Sequence, residues 1–211
     1  MKAEATSVQG LLLCGGRSTR MGREKATLEI RGEVLWRRQV RVLEEAVSGG
    51  VAVAGSREGP WDEAGRVVVD DVAPGAGPIA GICGGLKWAG AGHLVVLAVD
   101  LPLMQPGFLR RLIEMRRAGV GVVGVLDGER EPLAAVYPVE ALEVLQAQTS
   151  LGCFSLRKLW QQLSRQGRCL DVPVPERSVF LNLNRPEDLA RLQNLASEQG
   201  PESDGERVYR V

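Results

Sequence analysis

Two apolar runs, Leu11 to Cys14 and Leu94 to Val99, limit the possible folds of this chain more than any other feature. Neither alternates apolar with polar residues, as a strand with one wet face would. Strands apolar at every position are buried on both faces, which is the situation of central strands in a parallel sheet covered by helices on both sides. Helical spacing appears between such runs. Leu35, Trp36, Val40, Leu43 and Val47 fall on one face of a helix expected over 34–47, stopped by Gly49-Gly50. Further strands are expected at 51–54, 67–69, 120–126, 133–137 and 170–174, and further helices at 79–89, 106–117, 140–148, 154–163 and from Pro186 onward. Asp127-Gly128 is a turn signal, but the gap from 126 to 133 is longer than a two-residue hairpin needs. Strands separated by helices predict an α/β protein with a mostly parallel sheet.

In such sheets ligands bind beyond the carboxyl ends of the strands. Gly15-Gly16, Asp71 and Asp100 each directly follow an expected strand, so one pocket can collect them. The loop after the first strand reads G-G-R-S-T-R-M-G-R-E-K, with Arg17, Arg20, Arg23 and Lys25 behind paired glycines. Glycines let backbone amides come close to a ligand, and the cations specify an anion, best a polyphosphate. The spacing fits neither a Walker A loop nor a dinucleotide fingerprint. A glycine turn with solvated basic residues is the competing reading. Asp100, ending a buried strand before Leu101-Pro102, can ligate Mg²⁺ carried on phosphate oxygens, or can simply stabilise a turn. Asp70 and Asp71 can contact a nucleoside or the metal, or cap the loop that follows. Arg20 and Lys25 can stabilise charge growing on phosphate oxygens in a transition state.

Composition excludes other classes. Lys plus Arg and Asp plus Glu both number 26, which argues against a protein that coats nucleic acid. Four cysteines without a C-x-x-C pair and a single histidine, His93, argue against zinc and against a Ser-His-Asp site. His93 and the four tryptophans read as packing residues. The first ten residues hold no signal-peptide core, and no stretch reaches the ~18 apolar residues of a membrane span. The expected compartment is the cytoplasm, with no membrane partner. The expected organisation is a domain over 8–196 and a polar, flexible tail over 197–211.

The stretch L-L-L-C-G-G-R-S-T-R-M-G-R-E-K resembles the signature loop of the molybdenum cofactor guanylyltransferases, a branch of the nucleotidyltransferases. V-V-V-D-D, G-P-I-A-G-I-C-G-G-L, V-V-L-A-V-D-L-P, E-P-L-A-A-V-Y and F-L-N-L-N-R-P-E-D-L follow in the order of that family. The resemblance implies a single three-layer α/β/α, Rossmann-like domain with a mixed, mostly parallel sheet. It implies Mg²⁺-dependent transfer of GMP from GTP to the terminal phosphate of molybdopterin, with pyrophosphate released. Carried over by position, Leu13, Cys14, Gly15 and Gly16 would line the nucleotide, Arg20 and Lys25 would hold its triphosphate, Asp71 its nucleoside, and Asp100 the Mg²⁺. Asn182 and Asn184 would face the pterin. Partners implied are GTP, molybdopterin, molybdenum insertion enzymes and molybdoenzyme chaperones. The chain departs from the family pattern at Cys14, where Ala is usual, at Ala54, where Asn is common, and at Arg185, where Thr or Ser is common. A sibling cytidylyltransferase or other small-molecule nucleotidyltransferase, and a non-catalytic delivery module, are the alternatives. The module would not require Arg20, Lys25 and Asp100 together.

Overall fold

The computed structural model describes residues 7–14, 25–30, 32–69, 76–174, 176–184 and 187–188. Along the chain run β1 (Val8–Leu13), a 3₁₀ turn (Lys25–Thr27), β2 (Glu29–Ile30), β3 (Glu33–Val34), α1 (Leu35–Ala46), β4 (Val51–Ala54), α2 (Pro60–Glu63) and β5 (Val67–Val69). There follow α3 (Pro78–Ala89), β6 (His93–Ala98), α4 (Pro106–Glu114), β7 (Gly121–Leu126), β8 (Glu129–Pro138), α5 (Ala141–Ser150), α6 (Leu156–Arg165), β9 (Cys169–Pro173) and a second 3₁₀ turn (Arg177–Phe180). Seven strands form one sheet in the order β5-β4-β1-β6-β8-β7-β9. All run parallel except β8, which is antiparallel to both of its neighbours. The α/β class with a mostly parallel, mixed sheet is as expected.

The two apolar runs account for the centre. β1 lies between β4 and β6, and Leu11, Leu12 and Leu94 to Leu97 have no exposed surface. Alternate side chains feed two cores. Leu12, Val95 and Leu97 meet Leu35, Val40 and Leu43 of α1 and Phe108, Leu109 and Leu112 of α4. Leu11, Leu13, Leu94 and Val96 meet Ile79, Ile82 and Leu86 of α3, in a layer continued by Leu145 of α5 and Leu159 and Trp160 of α6. The result is a three-layer α/β/α stack.

The glycines of α3 explain how closely that helix lies on the sheet. A Cβ on Gly81 would stand 2.8 Å from Ala54 Cβ, and one on Gly85 would stand 2.6 Å from Leu11 Cδ2. Gly81 therefore sits over the carboxyl end of β4, and Gly85 lies further back over the middle of β1. The amino-terminal end of α3 thus faces the edge where the parallel strands finish. Its N-cap, Gly77, has φ 62°, a conformation that favours glycine.

One connection differs from expectation. Asp127 and Gly128 alone join β7 to β8, with φ 52° and 82°. Two positive φ values are the signature of the two-residue hairpin turn. The supposed longer loop is instead the first part of β8, Glu129 to Pro132. No residue of that stretch is fully buried, so no apolar pattern marks it as strand. The short hairpin β2–β3 and the single-turn α2 also have no periodic signal to announce them. The expected helix from Pro186 and the expected tail lie outside the described residues, apart from Glu187 and Asp188. His93 is buried, with a ring nitrogen 3.0 Å from the Arg117 carbonyl oxygen, a structural role. Trp36, Trp61 and Trp160 are core residues. Among the described residues no helix is long and apolar enough to cross a membrane.

Candidate active site

From β1 the chain moves outward to β4 and β5, then returns through α3 to β6 on the other side of β1. The strand order reverses between β1 and β6, and such a switch point opens a crevice at the carboxyl edge. The loop after β1 and the turn after β6 flank it. That turn carries Asp100.

Several contacts fix this turn. Val99 N–H donates to Leu13 O at 3.0 Å, so β1–β6 pairing runs to the edge. Leu101 and Met104, just beyond, are fully buried and anchor the chain. From below, the Gln39 amide donates to Leu101 O at 2.6 Å, and Arg38 Nε donates to Pro102 O at 3.2 Å. Gln39 is fully buried in α1, between the inward positions Trp36 and Val40. Its signal in the sequence is a polar residue on an otherwise apolar helix face, which was not used above. Gln39→Leu keeps the bulk and removes the tether, leaving Leu101 O with its bond from Met104 N–H alone. The expected cost is about 0.5–1.5 kcal/mol in urea unfolding, the net worth of one hydrogen bond. Transfer should also fall by roughly tenfold as the Asp100 turn loosens, since small misplacements of positioned groups are costly. Unchanged transfer kinetics in a folded variant would show that the tether does not position Asp100.

Lys25, in the first 3₁₀ turn, reaches Asp100. Its Nζ is 3.5 Å from Asp100 Oδ2, and the two side chains are only 17% and 23% exposed. The same Nζ donates to Asn184 Oδ1 at 2.8 Å, across 159 residues of sequence. Asn184 arrives on a strap that begins with the second 3₁₀ turn. Val179 and Leu183 are buried, and Phe180 meets Phe108 edge to face at 5.8 Å over Gly124, where a Cβ would stand 2.5 Å from the Phe180 ring. Leu183 N–H donates to Asp100 O at 2.8 Å, and Asn184 N–H donates to Asp188 Oδ2 at 2.9 Å. Asn182 lies half-buried on this strap. The structure thus brings Lys25, Asp100 and Asn184 into direct contact. Leu13 and Cys14 end β1 at the same edge, with Cys14 N–H donating to Ala54 O at 2.8 Å. Gly15, Gly16, Arg20 and Asp71 lie outside the described residues.

A second carboxylate stands nearby. Glu131 Oε1 accepts from Leu133 N–H at 3.1 Å. Burial raises its carboxyl above the usual carboxylate range, the Leu133 hydrogen bond opposes the rise, and the Asp100 charge adds to it. The sequence reading missed Glu131, because its place depends on strand direction, which a single strand does not reveal.

These residues suit a divalent cation. Asp100 Oδ1 is buried and has no hydrogen-bond partner in the structure, a costly state unless a ligand relieves it. Among the described residues no cluster of three or more His, Cys, Asp or Glu could hold a metal by itself. One or two carboxylates are what Mg²⁺ takes from protein when phosphates and water supply the remaining ligands.

The arrangement is a cation and a carboxylate meeting at the carboxyl edge of the sheet, where the strand order reverses. Comparison with known proteins agrees. Residues 10–169 match the MobA-like NTP transferase domain. The chain is 41% identical over 197 residues to a probable molybdenum cofactor guanylyltransferase of Opitutus terrae, covering 90% of this chain and 97% of that protein. It is 34% identical over 195 residues to a molybdenum cofactor guanylyltransferase of Cereibacter sphaeroides, covering 88% and 95% respectively. The fold is shared with the crystal structure of molybdopterin-guanine dinucleotide biosynthesis protein A from Archaeoglobus fulgidus. There the TM-score is 0.74 at 24% identity, over 90% of this chain and 99% of that one. The chain belongs to the MobA-like NTP transferase family and is a nucleotidyltransferase.

Proposed function

We propose that this enzyme transfers GMP from GTP to the terminal phosphate of molybdopterin, giving the guanine dinucleotide form of the cofactor and pyrophosphate. An oxygen of the acceptor phosphate attacks the α-phosphorus of GTP, and the bond to the bridging oxygen of pyrophosphate breaks. The observation that carries this reading is the meeting of Lys25 and Asp100 at 3.5 Å in the crevice between β1 and β6. Lys25 neutralises negative charge on the triphosphate and on the departing pyrophosphate, which is the main service a protein can give to phosphoryl chemistry. Asp100 holds Mg²⁺, which when bound supplies charge neutralisation to the phosphate oxygens. Arg20 adds a second cation from the loop after β1, Asp71 binds the nucleoside, and Leu13, Cys14, Gly15 and Gly16 line the nucleotide with backbone groups. Asn182 and Asn184 face the acceptor from the strap. The hydrogen bond from Lys25 to Asn184 joins the acceptor side to the nucleotide side.

The acceptor would come from molybdenum insertion enzymes, and the product would pass to molybdoenzyme chaperones in the cytoplasm. The test is a panel of GTP, CTP, ATP and UTP with Mg²⁺ and molybdopterin, read as pyrophosphate release. GTP is expected to support the fastest turnover. Preference for CTP would assign the chain to the cytidylyl branch, and GTP binding without turnover would overturn the catalytic reading.

A further inference from the structure

Because β8 alone runs antiparallel in this sheet, its beginning rather than its end reaches the edge where β6 finishes. The two strands pair from His93 with Pro138 to Leu97 with Ala134. Each step toward the edge advances β6 by one residue and takes β8 back by one. Beyond that last pair, Asp100 lies three residues on, in the turn after β6, and Glu131 three residues back along β8, so both stand at the same edge on neighbouring strands. Leu133, Ala135 and Tyr137 of β8 pack with Leu94 and Val96 of β6 in the layer of α3, α5 and α6. Glu131 precedes them in the stretch where the pairing of β8 with β7 shifts register, between Ala135 opposite Val123 and Arg130 opposite Val125. Glu131 is near enough to Asp100 for that charge to add to the rise that burial gives its own carboxyl.

The backbone at this point is held in place. Trp160 Nε1 donates to Tyr137 Oη at 3.2 Å, and Tyr137 Oη donates to Pro132 O at 2.7 Å. Both rings are fully buried. Glu131 is therefore presented from a rigid position, one residue before a pinned carbonyl. It is only partly exposed, yet the ion pairs of the described residues do not include it. Among the described residues Lys25 pairs with Asp100. Asp100 Oδ1 stays buried with no hydrogen-bond partner, and negative charge left uncompensated there is expensive. A divalent cation would balance it.

We propose that Glu131 is the second carboxylate of the cation site, acting with Asp100 to hold the divalent ion that accompanies the nucleotide. This rests on the reading of Asp100 above. The rival role is a plain turn cap, since Glu131 already accepts from Leu133 N–H. Glu131→Gln separates the two roles, because the amide oxygen can still accept that bond while the charge is gone.

Mn²⁺ serves as the probe. Its affinity is measured by electron paramagnetic resonance on the full chain, saturated with a GTP analogue whose α,β-bridging oxygen is replaced by methylene. Glu131→Gln is expected to weaken Mn²⁺ binding about tenfold or more, with an unchanged thermal midpoint confirming the fold. Glu131→Asp should fall between the two. Binding of the analogue without metal should be unchanged or tighter, whereas a loosened turn would weaken it. Asp100→Asn is measured alongside. If it loses Mn²⁺ while Glu131→Gln stays within twofold of the parent, the role of Glu131 is overturned and the reading of the site stands. If Asp100→Asn also binds Mn²⁺ like the parent, the metal assignment beneath both is overturned.

Discussion

Asp100→Ala is expected to reduce nucleotidyl transfer by about 10³-fold or more while leaving the fold intact. In the proposed mechanism the carboxylate holds the cation, and through Oδ2 it orients Lys25 at 3.5 Å. Removing one well-placed electrostatic group from such a centre costs about 10²–10³ in rate. Loss of the metal anchor adds to that. The fold should survive because the Asp100 contacts that build the turn come from its backbone, where its carbonyl accepts from Leu183 N–H. The side chain contributes one buried, unpartnered oxygen and one ion pair to Lys25, whose ammonium keeps Asn184, so its loss costs the fold little. Single-turnover pyrophosphate release across a Mg²⁺ titration checks this. Rate loss should be partly recovered at high Mg²⁺, and full activity at low Mg²⁺ would contradict the assignment.

Lys25→Ala should cost about 10²–10³-fold in the same assay, with no recovery from added Mg²⁺. The ammonium donates to Asn184 and pairs with Asp100 from one point, a geometry suited to a compact cation on a flexible stem. Lys25→Arg keeps the charge but spreads it over a planar fork, so it should regain only part of the rate. Since Lys25 bridges the strap and the Asp100 turn, Lys25→Ala is also expected to raise the apparent KM for the acceptor. A variant that loses GTP affinity alone would place Lys25 solely on the nucleotide side and undo the proposed link between the two substrates.

Some of this was open to reading from residues alone, because burial on both faces of a strand leaves its mark on every position of that strand. Leu11 to Cys14 and Leu94 to Val99 announced the central pair, and the spacing of Leu35, Trp36, Val40 and Leu43 announced α1. Gly81 and Gly85 let α3 lie close against the sheet. By contrast, the start of β8 was read as loop. Its side chains are partly wet, so Glu129 to Pro132 show no apolar alternation. Gln39 was passed over because one polar residue hardly disturbs a helical stripe, and its partner carbonyl belongs to a turn 62 residues away.

The sequence by itself determined the layered α/β class, the strands that lie at the centre, and the presence of an acidic side chain where the second apolar run ends. These follow from local spacing, which hydrophobic burial imposes residue by residue. Only the tertiary structure decided which charged groups meet. Lys25, Asp100 and Asn184 come together because the strand order reverses beside β1 and the strap returns to the same edge. Glu131 joins that edge because β8 runs against its neighbours. Strand order and direction are set by packing between distant segments, and no short window of residues carries that information.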